Sequence, residues 1–242
     1  MTCRDEPLLS AREVRRVLGR GSDCFEVVIE ELDLTPSARV AIVGPSGSGK
    51  STALALLALA MRPDSARVLQ LNPPEASPVD AGALWLAGRY DSLASLRARM
   101  LGFVPQVGGL LPFLTLRANI ALTQKLARRA VPGRIELLVE ALEIAQILDR
   151  LPAEVSVGQR QRTAVARALA HAPPIILADE PTAAVHPAQA NTIMSLLAHA
   201  AAHSGAALLV ATHDIHLAEV AGFAIAPINA ASLRGTVGWL PT

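Results

Sequence analysis

The chain has 242 residues, with 22 Lys and Arg against 21 Asp and Glu, a net charge of +1, 51% hydrophobic residues and 3% aromatics. That length suits one domain, or one domain with a sizeable insert, and is ample for a buried core. The charge balance speaks against a broad nucleic-acid footprint and the scarce aromatics against a base-stacking platform, while the longest clean apolar run, residues 53–61, falls far short of the roughly 20 residues a spanning helix needs.

The opening residues, MTCRDEPLLS, carry mixed charge early and lack a signal-peptide core. Cys3 and Cys24 show neither metal-ligand nor disulfide-framework spacing, and the six histidines are scattered, which fits a reduced, cytosolic setting. Residues 14–18 and 25–34 alternate in polarity, so the chain is expected to enter through a β-rich, antiparallel region. Residues 39–43 are expected to form a buried strand, and residues 51–61, rich in Ala and Leu, a helix.

Between that strand and helix lies GPSGSGKST, residues 44–52. Gly44, Gly49, Lys50 and Ser51 match G-x-x-x-x-G-K-[ST], with Gly47 inside the loop and Pro45, Ser46, Ser48 and Thr52 completing it. Glycines permit positive φ and leave amide N–H groups free for phosphate oxygens, and the helix aims its positive end into the same space. Lys50 is expected to reach the β- and γ-phosphates and Ser51 to ligate Mg²⁺. A Gly/Ser surface turn would match the four fixed positions by chance in about one random chain of this length in a hundred. The flanking strand and helix make such a coincidence rarer still.

Residues 62–88 contain Pro63, Pro73, Pro74 and Pro78 and are expected to form loops with short strands at 68–71 and 83–86. A helix over 93–100 and a strand over 101–104 lead to Pro105 and Gln106. Residues 116–129 and 133–148 carry helical periodicity and form the expected helical insert. Strand and helix then alternate: a helix over 158–171, strand 175–178, helix 187–203 and strand 207–211. This pattern predicts an α/β fold with a mostly parallel sheet flanked by helices.

Asp179 and Glu180 close the apolar run of PIILADEP, placing two carboxylates at the carboxyl end of a buried strand, where open α/β sheets bind ligands. Asp179 there can hold Mg²⁺, and Glu180 can polarise an attacking water as general base. An acidic turn would look the same in isolation, and the phosphate loop upstream favours the functional reading. Ser156, Gly158 and Gln159 open the helix of VSVGQRQR, and most such turns are simple caps.

With these motifs in order the chain resembles the ATP-binding subunits of ABC transporters over nearly its whole length. GPSGSGKST is similar to Walker A, FVPQ (103–106) to the glutamine loop, VSVGQRQR (155–162) to the signature, IILADEP to Walker B and ATHD (211–214) to the histidine loop. The resemblance implies a P-loop NTPase with a RecA-like core and β subdomain over about 1–105 and 172–242 and a helical subdomain over about 106–171. It also implies that Gln106 contacts Mg²⁺ or the lytic water and that His213 holds the γ-phosphate. Two copies would pack head to tail, with Ser156, Gly158 and Gln159 of one chain facing the nucleotide of the other. The cofactors would be ATP and Mg²⁺, the partners a second ATP-binding subunit and transmembrane permease subunits, and the location the inner face of the cell membrane. Residues 95–122 look like the lipoprotein-release and macrolide-exporter branch.

The sequence departs from the family pattern in four places. Val157 stands where the first signature glycine is usual, so a differently shaped loop is expected, because a β-branched residue resists positive φ. His186 replaces an Asp after Walker B. No aromatic stands near Val17 and Leu18 to stack on adenine, Phe25 being the nearest candidate. Gly222 and Phe223 replace an Asp-Arg pair. Val157 and His186 motivate an alternative, a low-turnover, nucleotide-switched scaffold that recruits a membrane complex. A P-loop small-molecule kinase would leave the signature and histidine loop unexplained.

Overall fold

The computed structural model describes residues 6–19, 24–74, 76–106, 109–183, 187–228 and 235–237. Strands β1 (Leu9–Leu18) and β2 (Phe25–Leu34) pair antiparallel along their whole length, from Leu9 opposite Leu34 to Leu18 opposite Phe25. Their buried residues are Leu9, Ala11 and Val14 on one strand and Val27, Ile29, Leu32 and Leu34 on the other. Strict alternation breaks on both strands at the same level, where Glu13 takes φ 47°. For that reason β1 begins five residues before the stretch whose alternation predicts it.

In chain order the next elements are β3 (Arg39–Val43), α1 (Lys50–Leu57), β4 (Val68–Leu71), β5 (Val79–Asp80), α2 (Ala81–Leu86), α3 (Tyr90–Met100) and β6 (Leu101–Val104). Then come α4 (Leu116–Ala127), α5 (Arg134–Ala141), α6 (Val157–Leu169), β7 (Ile175–Asp179), α7 (Pro187–Ser204), β8 (Ala207–Thr212), α8 (Ile215–Val220), β9 (Ala224–Pro227) and β10 (Gly235–Val237). One sheet has the order β10-β2-β1-β4-β5, antiparallel except where β10 joins β2. The other has the order β6-β7-β8-β3-β9 and is parallel throughout.

Every residue of β7 and β8 is buried, as expected of parallel strands covered on both faces. Successive side chains feed two cores. Ile175 and Leu177 pack with α1 and the antiparallel sheet, whereas Ile176 and Ala178 pack with residues of α4, α6 and α7. The helical stretch therefore shares a core with one face of the parallel sheet.

Two expected elements differ. Residues 83–86 belong to helix α2 and not to a strand, because Asp80 caps the helix and accepts from the Ala83 N–H at 2.9 Å. The helix expected over 133–148 divides into α5 and a 3₁₀ turn, Ala145–Ile147, with Glu143 at φ 53° between them.

Candidate active site

All strands of the parallel sheet point their carboxyl ends to one edge, and register fixes which residues meet there. Val43 lies opposite Thr212, and Asp179 opposite Ala211. The loop after β3, the carboxylates closing β7 and the histidine after β8 are thus neighbours.

The loop is held on one side by the chain after β9. A Cβ on Gly44 would lie 2.6 Å from the Ile228 carbonyl oxygen, and the Ile228 N–H donates to Val43 at 2.7 Å. Gly47 and Gly49 take φ 80° and 89°, in the region glycine adopts without strain. Gly49 caps α1 without a side-chain bond, and the first turn of α1 holds no acidic residue. The helix dipole and its first amides are left for an anion.

Lys50 is 6% exposed, and its ammonium donates to the Gly44 and Pro45 carbonyls at 2.8 and 2.9 Å. It lies 3.8 Å from Glu180 Oε1. The Glu180 backbone takes φ 44° and donates to the Ala211 carbonyl at 2.9 Å, while Oε2 lies 2.8 Å from His213 Nδ1. A carboxylate only accepts, so an Nδ1–H tautomer of the ring is the one that donates to it. The His213 side chain itself is 63% exposed. Asp179 is buried, and burial raises its pKa above the ordinary carboxylate value against the opposing hydrogen bond from Ser51. One of its oxygens, Oδ1, has no hydrogen-bond partner among the described residues, and the same is true of the buried Ser48 hydroxyl.

Lys50, Ser51, Asp179, Glu180 and His213 are therefore brought together, and Gln106 is exposed just past β6, the strand beside β7. Ser156, Gly158 and Gln159 are elsewhere. They open α6, which packs principally on α4, α5, α7 and β6, whereas α1 packs on β2, β7 and β8. Ser156 Oγ accepts from the Gln159 N–H at 3.2 Å and Gln159 Oε1 accepts from the Ser156 N–H at 2.9 Å, a reciprocal cap.

The expectation for Val157 is corrected. It is the first residue of α6, half exposed on helical backbone, and no positive φ is required of it. His186 lies outside the described residues. Phe25 pairs with Leu18 and packs, partly buried, against the core. Phe223 is buried and Gly222 ends α8 at φ 75°, so both have structural roles.

Sequence reasoning passed over Gln161, which is 1% exposed and bridges the Pro105 and Pro181 carbonyls. The available signal was its position on the otherwise apolar stripe of Ala164, Val165 and Ala168. It also passed over Asn119, fully buried, whose side-chain amide pins Leu111, Leu114 and Thr115 in the loop before α4.

The family described as ABC transporter matches residues 30–183. The chain is 36% identical to the lipoprotein-releasing system ATP-binding protein LolD of Pseudomonas fluorescens, over 89% of this chain and 92% of that protein. It is 35% identical to LolD 2 of Caulobacter vibrioides, over 88% and 91%. Among solved structures, the dimeric post-hydrolysis state of the ATP-binding cassette MJ0796, bound to ADP and Pi, superposes with TM-score 0.79 at 29% identity. That match covers 96% of this chain and all of that one.

Proposed function

The chain belongs to the ABC transporter family as an ATP-binding, ATP-hydrolysing subunit, and from that premise we propose a hydrolytic centre built on Lys50, Glu180 and His213. The observation that carries this reading is the Glu180 carboxylate, set between the Lys50 ammonium and the His213 ring beside residues 44–52. Residues 44–52 cradle the phosphates of ATP, with Lys50 drawn to the β- and γ-phosphates. Glu180 takes the proton of a water as its oxygen bonds to the γ-phosphorus and the bond to ADP breaks. His213 orients that carboxylate and meets the γ-phosphate, and Gln106 approaches the same water from the end of β6.

Asp179 and Ser51 fit Mg²⁺. A buried carboxylate oxygen without a partner beside a hydroxyl is the sparse protein contribution this ion takes when phosphates supply further oxygens. Held there, the ion would supply positive charge that offsets the charge of the phosphates.

Because Ser156, Gly158 and Gln159 lie apart from residues 44–52, a complete site is proposed to form between two chains packed head to tail. The LolD relatives and the dimeric cassette support a dimer acting beneath permease subunits, in lipoprotein or lipid-type export. Among the described residues no helix is long and apolar enough to cross a membrane, so we assign membrane contact to the permease, with this chain peripheral on the cytoplasmic side. Residues 106–171 are proposed as the helical subdomain, and about 1–105 with 172–242 as the core. The alternative of a low-turnover scaffold loses one of its two motives, since Val157 takes helical backbone without strain.

Steady-state hydrolysis tests the assignment. Lys50→Ala should abolish turnover, and Glu180→Gln should lower kcat by 10² or more, the scale of a general base, while ATP-bound dimers accumulate. Unchanged turnover in Glu180→Gln would remove Glu180 from the role of base.

A further inference from the structure

Gln161 lies one turn into α6 and is 1% exposed. The other buried positions on its stripe are Ala164, Val165 and Ala168, and an apolar residue at 161 would complete the face without the desolvation that a carboxamide suffers. The amide instead sends its two N–H donors to different elements. Nε2 donates to the Pro105 carbonyl at 3.2 Å and to the Pro181 carbonyl at 3.3 Å. Pro105 immediately precedes Gln106, and Pro181 immediately follows Glu180. Gln161 thus joins the helix that begins at Ser156 to both segments that carry the water-facing groups. Its Oε1 is buried and has no partner among the described residues, so the side chain is held through its donors alone.

We propose that Gln161 is a positioning residue for hydrolysis, coupling the N-terminus of α6 to Gln106 and Glu180 of the same chain. The inference rests on the head-to-tail reading above. There, α6 opens onto the nucleotide held by the other chain, so a shift of α6 on meeting that nucleotide moves Pro105 and Pro181 together. Each chain's base and glutamine are then set in place by the nucleotide of its partner. The Pro105 carbonyl shares its planar peptide unit with the Gln106 nitrogen, and the fixed φ of Pro181 limits backbone rotation between its carbonyl and Glu180.

The test is Gln161→Met, which keeps length and bulk and removes both donors, with Gln161→Asn as a second variant whose shorter amide reaches one carbonyl at most. ATP affinity, KM, kcat and melting temperature are measured for each, alongside ATP-driven dimerisation of Glu180→Gln. The expected result is a fall in kcat of about tenfold or more for Met and a smaller fall for Asn, with KM and ATP affinity held within about twofold. An unchanged kcat overturns the proposal, as does a fall in kcat matched by an equal loss of ATP affinity. If Gln161→Met does not fold, the same criteria apply to Gln161→Asn. Failure of Glu180→Gln to dimerise on ATP would instead overturn the head-to-tail reading, whatever the Gln161 variants do.

Discussion

Gly44 and Glu180 both depend on backbone constraints, for different reasons. At Gly44 the Ile228 carbonyl leaves no room for a Cβ, while Glu180 holds φ 44° with a full side chain, a conformation that persists when surrounding contacts over-determine it. Its N–H bond to Ala211 and its carboxylate bond to His213 supply those contacts. Asp179 adds an electrostatic burden: burial disfavours its charged form, so the folded chain is less stable with Asp179 ionised than with it protonated. The site is assembled at some expense to folding.

His171, away from the site, makes the opposite contribution with pH. Burial, reinforced by the Arg129 and Arg134 cations, lowers its pKa from 6.5 to about 4. As pH falls below 6.5 the unfolded chain takes up the proton first, so stability present above that pH is lost progressively down to about 4. The loss is on the order of 3 kcal/mol across that window, from about 1.4 kcal/mol per unit. Denaturant unfolding at pH 7 and pH 5 should show a steeper decline for the parent than for His171→Leu, and parallel declines would contradict the assignment.

At the scale of elements, sequence reasoning located β3, β4 and β6 with the bounds they have, because each is a short, mainly apolar run that stops just before Pro45, Pro73 or Pro105. It misread α2, where the same apolar character over 83–86 belongs to a helix. The deciding residue is Asp80, whose cap outweighs the strand pattern. Asp80→Ala should lower stability by about 1 kcal/mol in denaturant unfolding and leave ATP affinity unchanged, since α2 follows β5 at the edge of the antiparallel sheet whereas residues 44–52 follow β3 of the parallel one. A stability change below about 0.3 kcal/mol would show that packing of Ala81 and Trp85, not the cap, holds α2. The start of β1 was obscured for a different reason, the shared break in alternation at Glu13, which no single-strand pattern reveals.

On the scale of the molecule, the parallel register collects residues 44–52, Asp179, Glu180 and His213 at one edge and leaves the α6 N-terminus apart. That separation predicts complementation. Chains carrying Lys50→Ala and chains carrying Gly158→Asp should each be inactive alone, and mixing them should restore measurable turnover, at most about a quarter of the parent and less because the emptied second site no longer sets Glu180 of the intact one. Half the dimers would then be mixed, each with one intact site formed from both chains. No recovery on mixing, together with failure of Glu180→Gln to dimerise on ATP, would place the whole site within one chain.

The sequence by itself determined the phosphate loop, the paired carboxylates and the α/β alternation, because each is written in contiguous residues whose spacing carries its own chemistry. Only the tertiary structure decided that His213 rests on Glu180, that Val157 is an ordinary helical residue, and that Gln161 ties α6 to Pro105 and Pro181. The first and last of these are contacts between segments 20 to 56 residues apart, set by sheet register and helix packing, and no local pattern encodes them.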